Sequence, residues 1–225
     1  MSDKPSRSTV EAIYEELRDR ICLLDLPPGA PLREQAIAQE VGFSRAPVRE
    51  ALTMLRIEGL VVRREGGGTT VSTVDLKRMR DVYALRIKLS ELIADFLKNP
   101  VPGHIPDELR KIRQRVVDAA PTRDPKLLGE LYTELHEALL DAIANETLKQ
   151  ISDRLYRQTA RVWVQLLPEM DWDEEVRIFL DEIDESLEAL EGNAARHVAE
   201  IRSKHMIMLL TRFNGFNEYL TRPLT

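Results

Sequence analysis

Between Leu32 and Val71 the chain reads LREQAIAQEVGFSRAPVREALTMLRIEGLVVRREGGGTTV, an order of residue types that few folds accommodate. It predicts a short helix, a glycine turn, a second helix, then two short strands joined by a glycine tip. Ile37, Ala38 and Val41 make the inward face of the first helix. Gly42 supplies a turn residue that tolerates a positive φ. Ser44 is placed to cap the second helix, and Pro47 falls in its first turn, where a missing N–H costs little. Val48, Leu52 and Leu55 recur at i, i+4 and i+7 and point to a core, whereas Arg45, Arg49 and Arg56 share the opposite face. A helix of this kind suits major-groove reading: the apolar side anchors it, and the guanidinium groups reach phosphates and guanine edges. Taken alone, the arginines would be a solvated face of an ordinary amphipathic helix. The order of elements argues otherwise. Leu60-Val61-Val62 and Thr69-Thr70-Val71 around Gly66-Gly67-Gly68 complete a winged helix-turn-helix.

Charge is divided along the chain in a way that fits this reading. Residues 41–80 hold eight Lys/Arg against four Asp/Glu, whereas residues 81–225 hold 19 against 26. The net charge is −6, so generic coating of nucleic acid is disfavoured and a basic reader on an acidic body is expected. Cys22 is the single cysteine, which excludes an internal disulfide and zinc-finger spacing. The N-terminal segment MSDKPSRSTV lacks a signal peptide's apolar stretch, and no apolar run approaches membrane-spanning length.

In chain order, residues 1–7 read as polar and loose, and a helix from Thr9 to Leu24 carries Val10, Ile13, Tyr14, Leu17 and Ile21 at helical spacing. Leu26-Pro27-Pro28-Gly29 ends it. From Asp75, a candidate cap, the pattern is helical only. A first long helix is expected to run through Lys98, with others at 106–119, 124–143, 146–167, 173–191 and 193–213, and the tail from Asn214 is left open. Breaks fall at Pro121, Asn145, Pro168 and Gly192-Asn193. The expected fold is therefore mainly α, an N-terminal winged helix-turn-helix plus a C-terminal all-helical bundle. Trp163 and Trp172 read as packing or pocket-wall residues, His104 and His197 as surface, and the run from Asp171 to Glu175 as a helix start.

The turn LPPGAPLRE (26–34), the string SRAPVREALTMLRIEGLV (44–61) and the closing GTTV resemble the N-terminal domain of GntR-family bacterial transcription regulators. This resemblance implies that Arg33, Arg45 and Arg49 touch an operator and that Gly68 enters the minor groove. The family's basic residue before the last wing glycine is absent here, where Gly66-Gly67 stand, and Arg63 and Arg64 lie further back. The candidate DNA-contacting set is Arg33, Ser44, Arg45, Pro47, Arg49, Arg56, Arg64, Gly67 and Gly68.

Leu85-Arg86, LHEALLDAIANETL (135–148) and the last long helix with His205 resemble the FCD ligand-binding domain of the FadR subfamily. The implied layout is a DNA-binding domain over 1–74, a linker over 75–80 and a helical effector-binding and dimerisation domain over 81–225. The resemblance further implies a homodimer on a palindromic double-stranded operator in the bacterial cytoplasm, most often as a repressor. It also implies a divalent metal, often zinc, held by an Asp and three His. His136 and His205 occupy two of those positions, and Tyr132 and Ile183 stand at the other two, so no cofactor is assigned with certainty. Three readings of the histidines stay open: metal ligands, hydrogen-bonded core residues, or donors in a metal-free pocket. Arg86, Tyr132, His136, Arg202 and His205 form the candidate effector pocket, and its arginines suit a carboxylate. For Arg86 the alternative is a salt bridge to a bundle carboxylate. An enzyme is disfavoured by the lack of HExxH or a nucleophile–base constellation. An effector-free DNA-binding or dimerisation protein is the runner-up.

Overall fold

The structure is a computed structural model that describes residues 9–64, 67–73, 76–192, 194 and 196–213. The chain divides into two units at the step from Val74 to Asp75. The expected loose segment 1–7, the Asp75 cap, Gly66, Asn193 and the tail from Asn214 lie outside the described residues. Among the described residues no helix is long and apolar enough to cross a membrane.

The first unit runs α1 (Thr9–Cys22), β1 (Pro31–Leu32), α2 (Glu34–Glu40), α3 (Arg45–Ile57), β2 (Val61–Arg63) and β3 (Thr69–Val71). Ile13, Leu17 and Ile21 repeat every four residues on α1 and are buried with Ile37, Val48, Leu55 and Val71 in one core. Gly42 stands at φ +72°, which lets Phe43 N–H donate to the Ala38 carbonyl at 3.0 Å and close α2. A residue with a Cβ would pay about 1–2 kcal/mol for that left-handed backbone. The expected strand pair is present, with Val61 opposite Val71 and Arg63 opposite Thr69. A third strand, β1, pairs with β3 and gives the antiparallel order β1-β3-β2. Two residues carry no alternation, so β1 leaves no periodic signal.

The second unit holds α4 (Leu76–Ile93), α5 (His104–Ala119), α6 (Pro125–Leu140), α7 (Glu146–Leu166), α8 (Trp172–Glu191) and α9 (Arg196–Phe213). Their principal neighbours form a closed ring: α4 packs on α9, α9 on α8, α8 on α5, α5 on α6, α6 on α7, and α7 on α4. Several starts follow from capping side chains. Asp124 accepts from Lys126 N–H and Leu127 N–H with Pro125 in the first turn, Asn145 accepts from Leu148 N–H, and Asp171 accepts from Glu174 N–H.

Two helices are shorter than their apolar periods suggest. The first does not reach Lys98: α4 ends at Ile93, and α6 ends at Leu140 instead of continuing to 143. The segments beyond pair with each other. Lys98 N–H donates to the Ala142 carbonyl at 2.8 Å, and Ala144 N–H donates to Phe96 at 2.7 Å. Pro100 also bars the residue before it from helix. Half-buried Leu97 and buried Ile143 suit a bridge as well as a helix face, so periodicity alone cannot separate the two outcomes.

Candidate functional site

Two regions collect the residues singled out above. The first is the outer side of α3. Val48, Ala51, Leu52 and Leu55 are buried, which fixes the helix against α1 and α2. Arg45, Arg49 and Arg56 are exposed on a single stripe, as is Arg33 in front of α2. At 100° per residue that stripe lies roughly 90° from the buried one, so the arginines flank the anchored face and do not sit diametrically across it. Ser44 occupies the cap position, but its side chain makes no cap hydrogen bond. Pro47 is half-buried in the first turn.

The wing tip is closed by backbone pairing: Arg64 N–H donates to Gly68 and Gly67 N–H to Arg64, both at 3.1 Å. Gly67 and Gly68 stand at φ +97° and +95°, and a Cβ at either would meet no neighbouring atom within 4 Å. What the glycines provide here is backbone conformation, not room. Arg63 and Arg64 are exposed at the base of this tip. Sequence reasoning missed Glu34, whose carboxylate reaches Arg45 Nη2 at 3.3 Å and Arg49 Nη2 at 3.1 Å. The partners are 11 and 15 residues apart, beyond any helical spacing rule.

The second region is a cavity of about 60 Å³ inside the helical ring. Its wall is mostly aliphatic, including Leu89, Ile93, Leu139, Ile143, Val198 and Met206. Arg86, Ser90, His136, Ser152 and Arg202 supply the polar groups. Arg86 is buried, donates through Nη1 to Thr159 Oγ1 at 2.6 Å, and lies over the rings of Tyr83 and Tyr156 at 5.0 and 5.3 Å. Among the described residues no carboxylate pairs with it. Arg202 differs: its Nη1 lies 2.5 Å from the buried Glu182 Oε1. The cavity therefore meets one guanidinium paired with a carboxylate and one that, among the described residues, is held by neutral hydroxyl and aromatic groups.

His136 stacks on Tyr156 at 3.8 Å between centroids and approaches Asp153 Oδ1 at 3.3 Å. Burial lowers its pKa to about 3 against the opposing hydrogen bond of Asp153, so the ring is neutral near pH 7. Tyr132 and His205 do not line this cavity. Tyr132 packs on Trp163 and Phe179 with its ring under Arg202, and burial pushes its hydroxyl pKa up. His205 lies 3.6 Å from Glu185 Oε2 and 4.0 Å from Glu182 Oε2. Trp163 and Trp172 are core residues whose indole N–H groups donate to Glu175 and to the Ala120 carbonyl.

These donors do not fit the divalent ion expected from the resemblance. Among the described residues no three His, Cys, Asp or Glu side chains are grouped to hold a metal. Ile183, at one of the four positions, is fully buried and apolar, and Tyr132 offers only a neutral hydroxyl.

Known proteins resemble both units. The model for bacterial regulatory proteins of the gntR family matches residues 9–71, and the FCD domain model matches residues 81–207. An HTH-type transcriptional regulator from an unstable DNA locus of Streptomyces ambofaciens is 37% identical over 110 residues, 49% of this chain and 47% of that protein. The gluconate operon transcriptional repressor of Bacillus subtilis is 28% identical over 148 residues, 66% of this chain and 60% of that protein. The chain thus spans about half the length of the first relative and three fifths of the second. The solved structure of E. coli McbR/YncC superposes with a TM-score of 0.82 at 17% identity, covering 94% of this chain and all of that one. At that identity the likeness is one of fold.

Proposed function

The chain belongs to the GntR family of bacterial regulatory proteins and carries an FCD domain, and on that premise we propose a sequence-specific transcription repressor that a small carboxylate controls. The observation that carries the reading is α3, whose buried Val48, Ala51, Leu52 and Leu55 leave Arg45, Arg49 and Arg56 facing solvent. A helix held this way presents guanidinium forks to base edges, and Arg33, Arg64 and the glycines of the wing tip are exposed in the same unit. A repressor name among the relatives supports the sense of control. Two copies on a palindromic operator are supported by Leu85 and Leu92, which lie seven residues apart on α4 and are half exposed, a surface suited to a second chain.

Arg86 supports the effector's charge. A buried guanidinium without a carboxylate partner among the described residues favours an anion, and a carboxylate takes its fork bidentately. The aliphatic wall favours a partly apolar body. A volume of about 60 Å³ has room for about four or five water-sized groups, so the effector is short.

Two measurements on the full chain test this reading. Selection from a randomised duplex library is expected to recover an inverted repeat. Thermal melting across short carboxylates, with and without Zn²⁺, is expected to show a rise that depends on the compound and not on the metal. Recovery of no preferred sequence rejects the DNA reading. No rise across the panel favours the effector-free alternative.

A further inference from the structure

Glu34 opens α2, and its carboxylate lies between the two leading arginines of α3. Arg49 offers Nε at 3.3 Å and Nη2 at 3.1 Å to the same Oε2, and Arg45 Nη2 reaches that oxygen at 3.3 Å. The arginine side chains are 60% and 65% exposed and Glu34 is 28% exposed, so the carboxylate lies beneath and the guanidinium groups lie outside. Because Arg49 turns its Nε–Nη2 edge inward, its Nη1–Nη2 edge stays unengaged among the described residues. That edge matches the O6/N7 acceptor pair of guanine. Hydrogen bonds from Arg49 hold the Glu34 carboxyl below its ordinary pKa, so it is ionised near neutral pH.

Two costs of reading DNA bear on this arrangement. Generic affinity follows the number of cations available to phosphates, whereas base readout depends on the orientation of hydrogen-bonding edges. A bridging carboxylate lowers the first by cancelling one of two charges. It favours the second by ordering two long side chains before binding. The geometry points to Glu34 as a specificity residue that holds Arg45 and Arg49 outward for base edges while weakening their pull on the phosphates of generic duplex. This rests on the DNA reading above. Glu40 provides an internal comparison: it carries the same charge on the same helix but pairs with Arg20 of α1 at 2.9 Å, away from Arg45 and Arg49.

The test uses full-length Glu34→Gln and Glu40→Gln with two labelled duplexes, one recovered by selection and one a scramble of equal composition, titrated across a KCl series. Glu34→Gln is expected to bind the scramble about fivefold tighter or more, with a log–log salt slope steeper by up to about one per subunit. The selected duplex should gain less, so the ratio of specific to generic affinity falls about fivefold. Glu40→Gln should leave that ratio within twofold. Should Glu34→Gln melt well below the wild type, Glu34→Asp replaces it, being too short to bridge both arginines, and the ratio is again expected to fall. A ratio unchanged within twofold in the folded variant, or an equal fall in Glu40→Gln, overturns the role of Glu34 and leaves the DNA reading standing. A wild type that prefers no sequence removes both.

Discussion

Arg49 and Arg86 are the same residue type in opposite surroundings, and their replacements should fail in different assays. Arg49 is exposed on α3, so Arg49→Ala should preserve the fold and weaken the selected duplex by roughly 5- to 150-fold, the range for one bidentate base contact. Anisotropy titration reads this directly, and an unchanged affinity in a folded protein would take Arg49 out of the interface. Arg86 is buried between Tyr83 and Tyr156. Arg86→Met keeps much of its aliphatic volume and removes the charge, so carboxylate-dependent stabilisation should vanish while DNA binding persists. His136 makes a third case. Its folded pKa of about 3 lies below the usual 6.5, so between those values the unfolded chain binds the extra proton and stability falls as pH falls. The limiting slope is about 1.4 kcal/mol per pH unit, and His136→Gln should lose that contribution in melts between pH 7 and pH 5. The positions of Arg45, Arg49 and Arg56 could be read from spacing, because one helix determines them. The clamp from Glu34, the Tyr83–Arg86–Tyr156 sandwich and the neighbours of His205 could not, since each depends on a partner from a distant segment.

Elements show a similar division. The helix–turn–helix was legible because Gly42, Pro47 and the Val48–Leu52–Leu55 spacing each allow few alternatives and agree with one another. The helices that start at Pro125, Glu146 and Trp172 begin within one residue of the expected 124, 146 and 173, and Asp124, Asn145 and Asp171 accept their first N–H groups. Helix ends were harder. Apolar period continues past Ile93 and Leu140, and the pairing of 96–98 with 142–144 takes the chain out of both helices there. The same reasoning says where α3 is vulnerable. Leu55 is fully buried, and Leu55→Ala should cost about 2–5 kcal/mol, seen as a lower urea midpoint together with loss of duplex binding. A comparable truncation at exposed Ile57 should cost far less. The difference separates anchoring of the helix from its composition.

At the scale of the molecule, the proposed control requires that carboxylate and operator bias one equilibrium. Their coupling is then reciprocal: whatever factor the carboxylate takes from operator affinity, operator must take from carboxylate affinity. Calorimetry of the carboxylate with and without saturating selected duplex, set beside anisotropy with and without carboxylate, should return equal factors. A factor of one in both titrations would mean that the compound does not bias the reader. The helical ring specifies where leverage begins. Arg86 enters the cavity from α4, and α4 is the stave joined directly by the chain to the winged unit. Ten residues separate Arg86 from Leu76, roughly 15 Å of rigid rod, so a pivot of about 10° at Arg86 swings the near end by about 2.6 Å. On the proposed reading, a compound small enough for this cavity would use Arg86 as a fulcrum, so that an ångström-scale adjustment of one guanidinium would become a larger stroke at Leu76.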